Sequence, residues 1–380
     1  MKIALLTTDN REHNRKYGIK TPYFGTAPEA LLEGFAMLPE IKVHVISCTQ
    51  TPMPSPDKLA ENIWFHSLHV PKIGWLRTVY QGCVRAVREK LKEIQPDIVH
   101  GQGTERDCAI SAVLSGYPNV ITIHGNMAEL ARLFRARIAS YGWLAGKLED
   151  FTLPRTHGVF CNSSYTESLV AKRAKRTWRV ANPIRTAFFK EAGLVRKNEK
   201  SVILNIGNIS PRKRQLETLE MLQSLHEEGC DFEVRFLGVS GEDAYGRRFR
   251  QKIVEVAHMG FARYMGPMRT EDLVATMNEA DALCHFPSEE AFGLVVAEAL
   301  ARNLKFFGSA LGGVADIANG VEGAELFDLG DWNSMSSGIS RWITGGFPHP
   351  HSARQMVEGR YHPKIIAEHH LKIYSEVLGK

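Results

Sequence analysis

Short runs of aliphatic and β-branched residues alternate along the chain with segments whose apolar positions recur every three or four residues. The first kind predicts strands at Ile3–Leu6, Val43–Ser47, Asp97–Val99, Val120–Ile123 and Gly158–Cys161, then at Val202–Ile206, Glu233–Leu237, Ala282–His285 and Lys305–Phe307. The second predicts helices such as Leu216–Leu225, Leu273–Ala280 and a last one over Pro363–Leu378. Strands alternating with helices imply parallel sheets covered on both faces, an α/β class. The alternation pauses over residues 181–200, a polar stretch containing Pro183 and Gly193. A linker over 186–200 therefore divides a doubly wound domain at 1–185 from a second at 201–362, with 363–380 packing back on the first. In sheets of this kind ligands bind outside the carboxyl ends of the strands. Two such domains facing one another would leave a cleft for a ligand.

At 380 residues the chain exceeds one compact core, and its 44% hydrophobic and 23% charged residues suit a soluble globular protein. No stretch approaches the roughly 20 apolar residues of a membrane span. The opening apolar run is too short for a signal peptide, and the six cysteines show no C-x-x-C spacing. They read as reduced core residues, which places the protein in the cytoplasm. Charge is uneven: residues 1–185 hold 25 Lys and Arg against 16 Asp and Glu, and residues 186–380 hold 22 against 26. The first half either meets an anionic partner or presents a solvated basic surface.

The stretch Pro287–Ala301 carries the most chemistry. It follows a strand, passes through a turn and enters an apolar helix that nevertheless contains Glu298, with Glu289 and Glu290 at its entrance. A strand-to-helix turn beginning at Phe292 would aim the N–H groups of Phe292, Gly293 and Leu294 at a bound phosphate, and Gly293 would allow close approach. Glu298 lies one turn beyond Leu294, where a carboxylate can accept from both vicinal hydroxyls of a ribose. Glu290 would meet whatever lies beyond the phosphates.

Glu290-Ala-Phe-Gly-Leu-Val-Val-Ala-Glu298, after Pro287-Ser288, resembles the Glu-x7-Glu signature of the retaining glycosyltransferases of family 4, the glycosyl transferases group 1. The resemblance implies the GT-B fold, two Rossmann-like domains facing a central cleft. It implies that Glu290 contacts the donor sugar and Glu298 the nucleotide ribose. Ala291 replaces the usual glycine, and Pro-Ser sits one residue closer than is commonest. Ile206-Gly-Asn-Ile-Ser-Pro-Arg-Lys-Arg-Gln215 is similar to the element whose Arg and Lys bind the donor diphosphate: Lys213 matches the lysine and Asn208 stands where the arginine is usual. Arg212 or Arg214 would then supply the missing cation. Val120-Ile-Thr-Ile-His124-Gly resembles the strand end whose histidine hydrogen-bonds the transferred sugar, and Tyr23-Phe-Gly25 the glycine loop that donor or acceptor approaches. Tyr264-Met265-Gly266 falls where the family seats the base. Glu105 and Arg106, ending another strand, are candidate acceptor contacts, while His100 beside them reads as core.

There is no D-x-D, so no metal or other cofactor is expected, and the late histidines His349, His351, His362, His369 and His370 match no standard metal spacing. The implied partners are a nucleoside-diphosphate-sugar donor and a sugar, lipid-linked or small-molecule acceptor, with no nucleic acid. Two basic segments, Leu76–Lys92 and Met127–Lys147, are either core-packing helices or surfaces for peripheral contact with the inner face of an anionic membrane. The first is read as one amphipathic helix with Leu76, Val79, Cys83, Val87 and Leu91 on its apolar face and Arg85, Arg88 and Lys92 on another. The function read from this is retaining, metal-independent transfer of a sugar to a hydroxyl acceptor, in polysaccharide, glycolipid or glycoconjugate synthesis. A nucleotide-sugar epimerase of the same fold and a non-catalytic nucleotide-sugar binder are the alternatives.

Overall fold

The computed structural model describes residues 1–191 and 199–380. The chain forms two units, Met1–Arg185 with Tyr361–Lys380, and Thr186–Arg360. The polar segment read as a linker begins in the second unit with one 3-10 turn, Thr186–Phe189, because Phe188 and Phe189 are buried there. Residues 192–198 of that segment lie outside the described residues.

The first unit holds eight strands: β1 (Lys2–Leu6), β2 (Lys42–Thr49), β3 (Lys58–Ala60), β4 (Ile63–His69), β5 (Ile98–Gln102), β6 (Asn119–Ile123), β7 (Val159–Cys161) and β8 (Thr177–Arg179). They lie in the order β3-β4-β2-β1-β5-β6-β7-β8, parallel except for the β3–β4 pair. The second unit holds β9 (Ser201–Ile206), β10 (Phe232–Leu237), β11 (Ala262–Gly266), β12 (Ala282–His285), β13 (Lys305–Ser309) and β14 (Ala324–Phe327). Their order is β11-β10-β9-β12-β13-β14, all parallel. Each unit is thus a parallel-sheet, Rossmann-like domain. The strand order reverses between β1 and β5 in the first sheet and between β9 and β12 in the second. Those are the points where connections leave to opposite faces and open a crevice at the carboxyl ends.

All nine predicted strands form. The five that the apolar pattern missed, β3, β4, β8, β11 and β14, lie at or next to a sheet edge. A strand covered less completely has no need of an unbroken apolar run; β11 alternates exposed residues with buried or half-buried ones, and β4 carries His66 and His69. Central strands show the opposite, with β5, β6 and β12 buried throughout.

Two helical segments of the first unit differ from the reading of the sequence. The helix expected from Leu76 begins at Gln81, because Val79 and Tyr80 take left-handed backbone angles and break it from a 3-10 turn at Leu76–Thr78. Val79 is consequently exposed and not on the apolar face. The segment Met127–Lys147 splits into Met127–Leu133 and Tyr141–Thr152, with left-handed Arg135 and Ala139 between them. The cysteines are all free, five buried and Cys230 half-buried.

The last helix, Pro363–Val377, belongs to the first unit. Its Ile366, Ala367, Ile373 and Tyr374 enter one apolar cluster with Phe35, Ile3, Val120 and Phe160. It packs on the helix Thr26–Ala36 closely enough that a Cβ on Gly34 would lie 2.2 Å from the Pro363 carbonyl oxygen. Gly34→Val is therefore expected to cost about 1–3 kcal/mol of stability by overpacking, read from urea denaturation. Unchanged stability would show that the last helix is not seated on this glycine.

The same helix helps bury His100 and His370 in the neutral form. Burial pushes the His370 imidazole down to about 3, against the pull of the Ile366 carbonyl on its Nδ1–H, and burial takes His100 well below its ordinary range. In the unfolded chain both return to about 6.5, so the unfolded state takes up protons first as the pH falls. Stability is then level above pH ~6.5 and drops below it, by about 1.4 kcal/mol per pH unit for each histidine. Melting temperatures measured from pH 7.5 to 5 are expected to fall; a flat profile would contradict the burial.

Candidate active site

Of the residues singled out in the second unit, Arg212, Lys213 and Glu290 meet at its switch point. The loop after β9 brings Arg212 and Lys213, and the loop after β12 brings Glu289 and Glu290. Backbone geometry fixes both loops. Gly207 and Gly238 take positive φ angles, and a Cβ on Gly238 would lie 2.1 Å from the Gly207 oxygen, so these two turns touch through bare backbone. The β12 loop is docked on the β9 loop, because Ser288 donates both its N–H (2.8 Å) and its hydroxyl (3.3 Å) to the Arg212 carbonyl.

Charges then pair across the two loops. Lys213 makes a direct ion pair with Glu290, which also accepts from His285 Nε2 at 3.1 Å. Arg212 Nη1 lies 3.1 Å from the Glu289 carboxylate and 3.9 Å from that of Glu290. Burial opposes the charge on Glu290, yet the Lys213 ammonium and the His285 hydrogen bond outweigh it and hold the carboxyl well below its usual range. Burial raises Glu289 instead, with Arg212 only partly offsetting it. His285 is pushed down by burial and by Lys213, against Glu290. Glu289 and His285 were not singled out from the sequence. The Glu-Glu pair at the entrance was a visible signal for the first, but a histidine closing a buried strand offers none.

The helix of the signature runs Leu294–Ala301, two residues later than the sequence suggested. Gly293 precedes it with φ +94° and ψ 52°, a left-handed angle that no helical residue can hold. The open N–H groups of the first turn thus belong to Leu294 and the residue after it, with no side chain capping them. Ala291 and Phe292 are buried, and Gly313 presses on this turn: its N–H donates to the Glu290 carbonyl (3.1 Å), and a Cβ there would lie 2.3 Å from Phe292 Cα. Glu298 is 4% exposed and does not face open water.

Asn208 is exposed and donates nothing to the acidic pair; its carbonyl accepts from Gln215 Nε2 at 3.1 Å. Of its basic neighbours, Arg214 lies over the Trp332 ring at 4.5 Å, whereas Arg212 points to the acids. Met265 is exposed at the end of β11, where Tyr264 donates its hydroxyl to the Gly238 carbonyl (2.7 Å) and Gly238 donates to the Gly266 carbonyl (3.0 Å).

In the first unit, Gly25 (φ +94°) ends the long loop after β1 and starts the helix Thr26–Ala36. That loop is fixed by Arg11, fully buried, which pairs with Asp9 at 2.6 Å. It also donates to the carbonyls of Ile19 (2.6 Å), Lys20 (3.0 Å) and Pro54 (2.8 Å). Nothing in the sequence distinguished this arginine from surface ones. His124, at the end of β6, hydrogen-bonds Gln102 Oε1 through Nε2 at 2.7 Å, and burial lowers its imidazole to about 4. It lines a small cavity with Gln102, Thr122, Asn182 and His370. Glu105 folds back over Gly103 with its carboxylate buried, and burial raises it. Arg106 lies over the Trp75 ring at 5.2 Å. Among the described residues, the one group of three side chains close enough to share a metal ion is Cys48, Cys83 and Asp107, inside the first unit's core.

Residues 188–360 match the family model described as Glycosyl transferases group 1, and residues 30–188 match Glycosyltransferase Family 4. No curated protein matches the chain in sequence. Among solved structures, sucrose-phosphate synthase from Thermosynechococcus elongatus superposes with a TM-score of 0.74 at 16% identity, over 100% of this chain and 99% of that one. HepE of Anabaena in complex with UDP-glucose gives 0.70 at 16% identity, over 99% and 100%. The lipopolysaccharide outer core galactosyltransferase WaaB, in its apo form, gives 0.68 at 16% identity, also over 99% and 100%. At such identities the likeness is one of fold. With both family models matched in succession along a chain of two Rossmann-like domains, the protein belongs to the group 1, family 4 glycosyltransferases of the GT-B fold.

Proposed function

We propose that the protein moves a sugar from a nucleoside diphosphate sugar to a hydroxyl acceptor with retention of configuration. One observation carries the reading: at the switch point of the second unit, Lys213 and Arg212 converge on Glu290 beside an uncapped helix start. Two cations and open N–H groups suit a diphosphate, whose departure must be helped by stabilising its growing charge. Arg212 takes the part of the arginine missing at position 208, with Glu289 holding its guanidinium. In this reading the second unit is the donor domain and the first the acceptor domain, which also carries Glu105 and Arg106. Glu290 and His124 hold the sugar, Glu298 the ribose, and the turn around Met265 the base.

The chemistry needs no protein nucleophile. The acceptor oxygen bonds to the anomeric carbon, the bond from that carbon to the phosphate oxygen breaks, and the acceptor's proton passes to the departing phosphate. The charge at the diphosphate comes from Lys213 and Arg212 and not from a metal ion, so turnover is expected to persist in chelator. UDP-glucose, the ligand of the HepE structure, heads the donor panel, followed by GDP- and ADP-sugars. A true donor at a hundredfold its Kd adds about 2.7 kcal/mol of stability, visible as a thermal shift. Lys213→Ala is expected to lower kcat by roughly 10²-fold or more, measured by acceptor-dependent nucleotide release. Unchanged turnover would place the diphosphate elsewhere; sugar isomerised without acceptor would make the protein an epimerase.

We also propose peripheral contact with an anionic membrane through the first unit, by a different surface from the helix Gln81–Ile94. That helix spends its apolar face, Cys83, Val84, Val87, Leu91 and Ile94, on the core, and its Arg85 pairs with Glu89. The end of the helix Met127–Leu133 and the loop after it instead expose Leu133, Phe134 (59%) and Ile138 (82%) beside Arg135 and Arg137. Apolar side chains flanked by cations suit a lipid headgroup region. No described helix is long and apolar enough to cross a membrane. Phe134→Ser with Ile138→Ser is expected to reduce co-sedimentation with phosphatidylglycerol vesicles at low salt by roughly fivefold or more, given about 0.8 kcal/mol per buried CH2. Arg85, Arg88 and Lys92 to Ala should change it less, and equal loss in both variants would refute the assignment.

A further inference from the structure

His285 is the last residue of β12, a strand held between β9 and β13 in the middle of the second sheet. Its side chain is 2% exposed, and its Nε2 lies 3.1 Å from Glu290 Oε2. The same oxygen takes the Lys213 ammonium. Oε1 is differently surrounded. Arg212 Nη1 lies 3.9 Å from it, too far for a hydrogen bond, and spends its shorter contacts on the Glu289 carboxylate (3.1 Å) and carbonyl (3.2 Å). Among the described residues, Glu290 accepts side-chain hydrogen bonds at Oε2 alone.

An ionised carboxylate has no hydrogen to give, so the hydrogen between the two groups is carried by His285 Nε2. The paired ammonium of Lys213 keeps Glu290 ionised, and burial together with that ammonium keeps His285 neutral. The two supports of Oε2 differ in what else they do. Lys213 ends a flexible four-carbon stem in the loop after β9, and it is also the cation proposed for the diphosphate. His285 is fixed on a buried central strand and has no second anion to serve. The backbone of Glu290 is tied separately, since the Gly313 N–H donates to its carbonyl at 3.1 Å. With its backbone and one oxygen held, the carboxylate has a set place, and Oε1 is the oxygen left for a ligand.

We propose that His285 is a positioning residue for Glu290: it anchors Oε2, so that Oε1 accepts from a hydroxyl of the donor sugar while Lys213 serves the diphosphate. This rests on the proposal above that Glu290 contacts the sugar. It adds a residue that lies outside the Glu290–Glu298 signature and touches the ligand only through another side chain. Its contribution therefore belongs to the sugar end of the donor and not to the nucleotide.

The test is a double-mutant cycle in the full chain, read by acceptor-dependent nucleotide release. The donor is UDP-glucose, or the nucleotide sugar that the donor panel selects in its place, and the matching nucleoside diphosphate serves as the ligand without a sugar. His285→Asn, whose amide stops short of Oε2, is expected to lower kcat roughly tenfold. The Kd for the nucleoside diphosphate should move less than about twofold. His285→Gln, whose amide nitrogen reaches the place of Nε2, should recover most of the loss. In a Glu290→Gln background, His285→Asn should cost less than about twofold more, because its effect passes through the carboxylate. Circular dichroism and melting temperature check folding, and His285→Leu, which also has no donor, repeats the measurement on a different side chain. A loss that multiplies in full on Glu290→Gln, an equal loss in His285→Gln and His285→Asn, or an unchanged kcat in His285→Asn overturns the proposal. So does a nucleoside diphosphate affinity that falls along with kcat, the mark of a site that has merely loosened. Failure of the underlying sugar contact has its own signature: Glu290→Gln alone would keep full kcat.

Discussion

The ion pair between Lys213 and Glu290 is the constraint on which the two loops at the second unit's switch point depend. A buried carboxylate without a partner costs several kcal/mol or gives up its charge. Glu290 keeps its charge because the loop after β9 delivers an ammonium to it and β12 delivers His285. Neither loop has reason to hold its shape alone. Ser288 on the Arg212 carbonyl and Gly313 on the Glu290 carbonyl tie the backbone on both sides of the pair. The topology makes this possible, since β9 and β12 are neighbours whose connections depart to opposite faces.

The first unit solves its own problem with a different cation. Arg11 is buried among carbonyls and the Asp9 carboxylate, and it turns the long loop after β1 into a fixed structure ending at Gly25. Every donor so placed has an acceptor, which is the condition for burying a guanidinium at all. In both units, loops at the carboxyl ends of the strands are held by buried, paired charges.

Much of this was legible in the sequence, and the remainder was hidden for definite reasons. Central strands announce themselves by unbroken apolar runs, so β1, β5, β6, β9 and β12 were visible, while edge strands such as β8 and β11 were not. The spacing around Glu290 and Glu298 marked the turn, but the helix start moved to Leu294 because left-handed Gly293 comes between. Val79 looked like part of an apolar stripe until a left-handed pair of residues placed it outside the helix. Arg11, His285 and Tyr374 could not be told from ordinary residues, since their partners lie elsewhere in the chain or in the turns that the fold creates.

The seating of the last helix on Gly34 has a consequence for how the molecule is made. The second unit is an insertion within the first: residues 186–360 intervene between most of the first unit and the helix that completes its interior. On the ribosome, the earlier strands emerge well before Ile366, Tyr374 and their neighbours exist to cover them. The second unit, being continuous, can close as soon as it is synthesised. The amino-terminal half must wait, its apolar flank uncovered, and becomes a finished domain only after everything ahead of residue 361 has been translated.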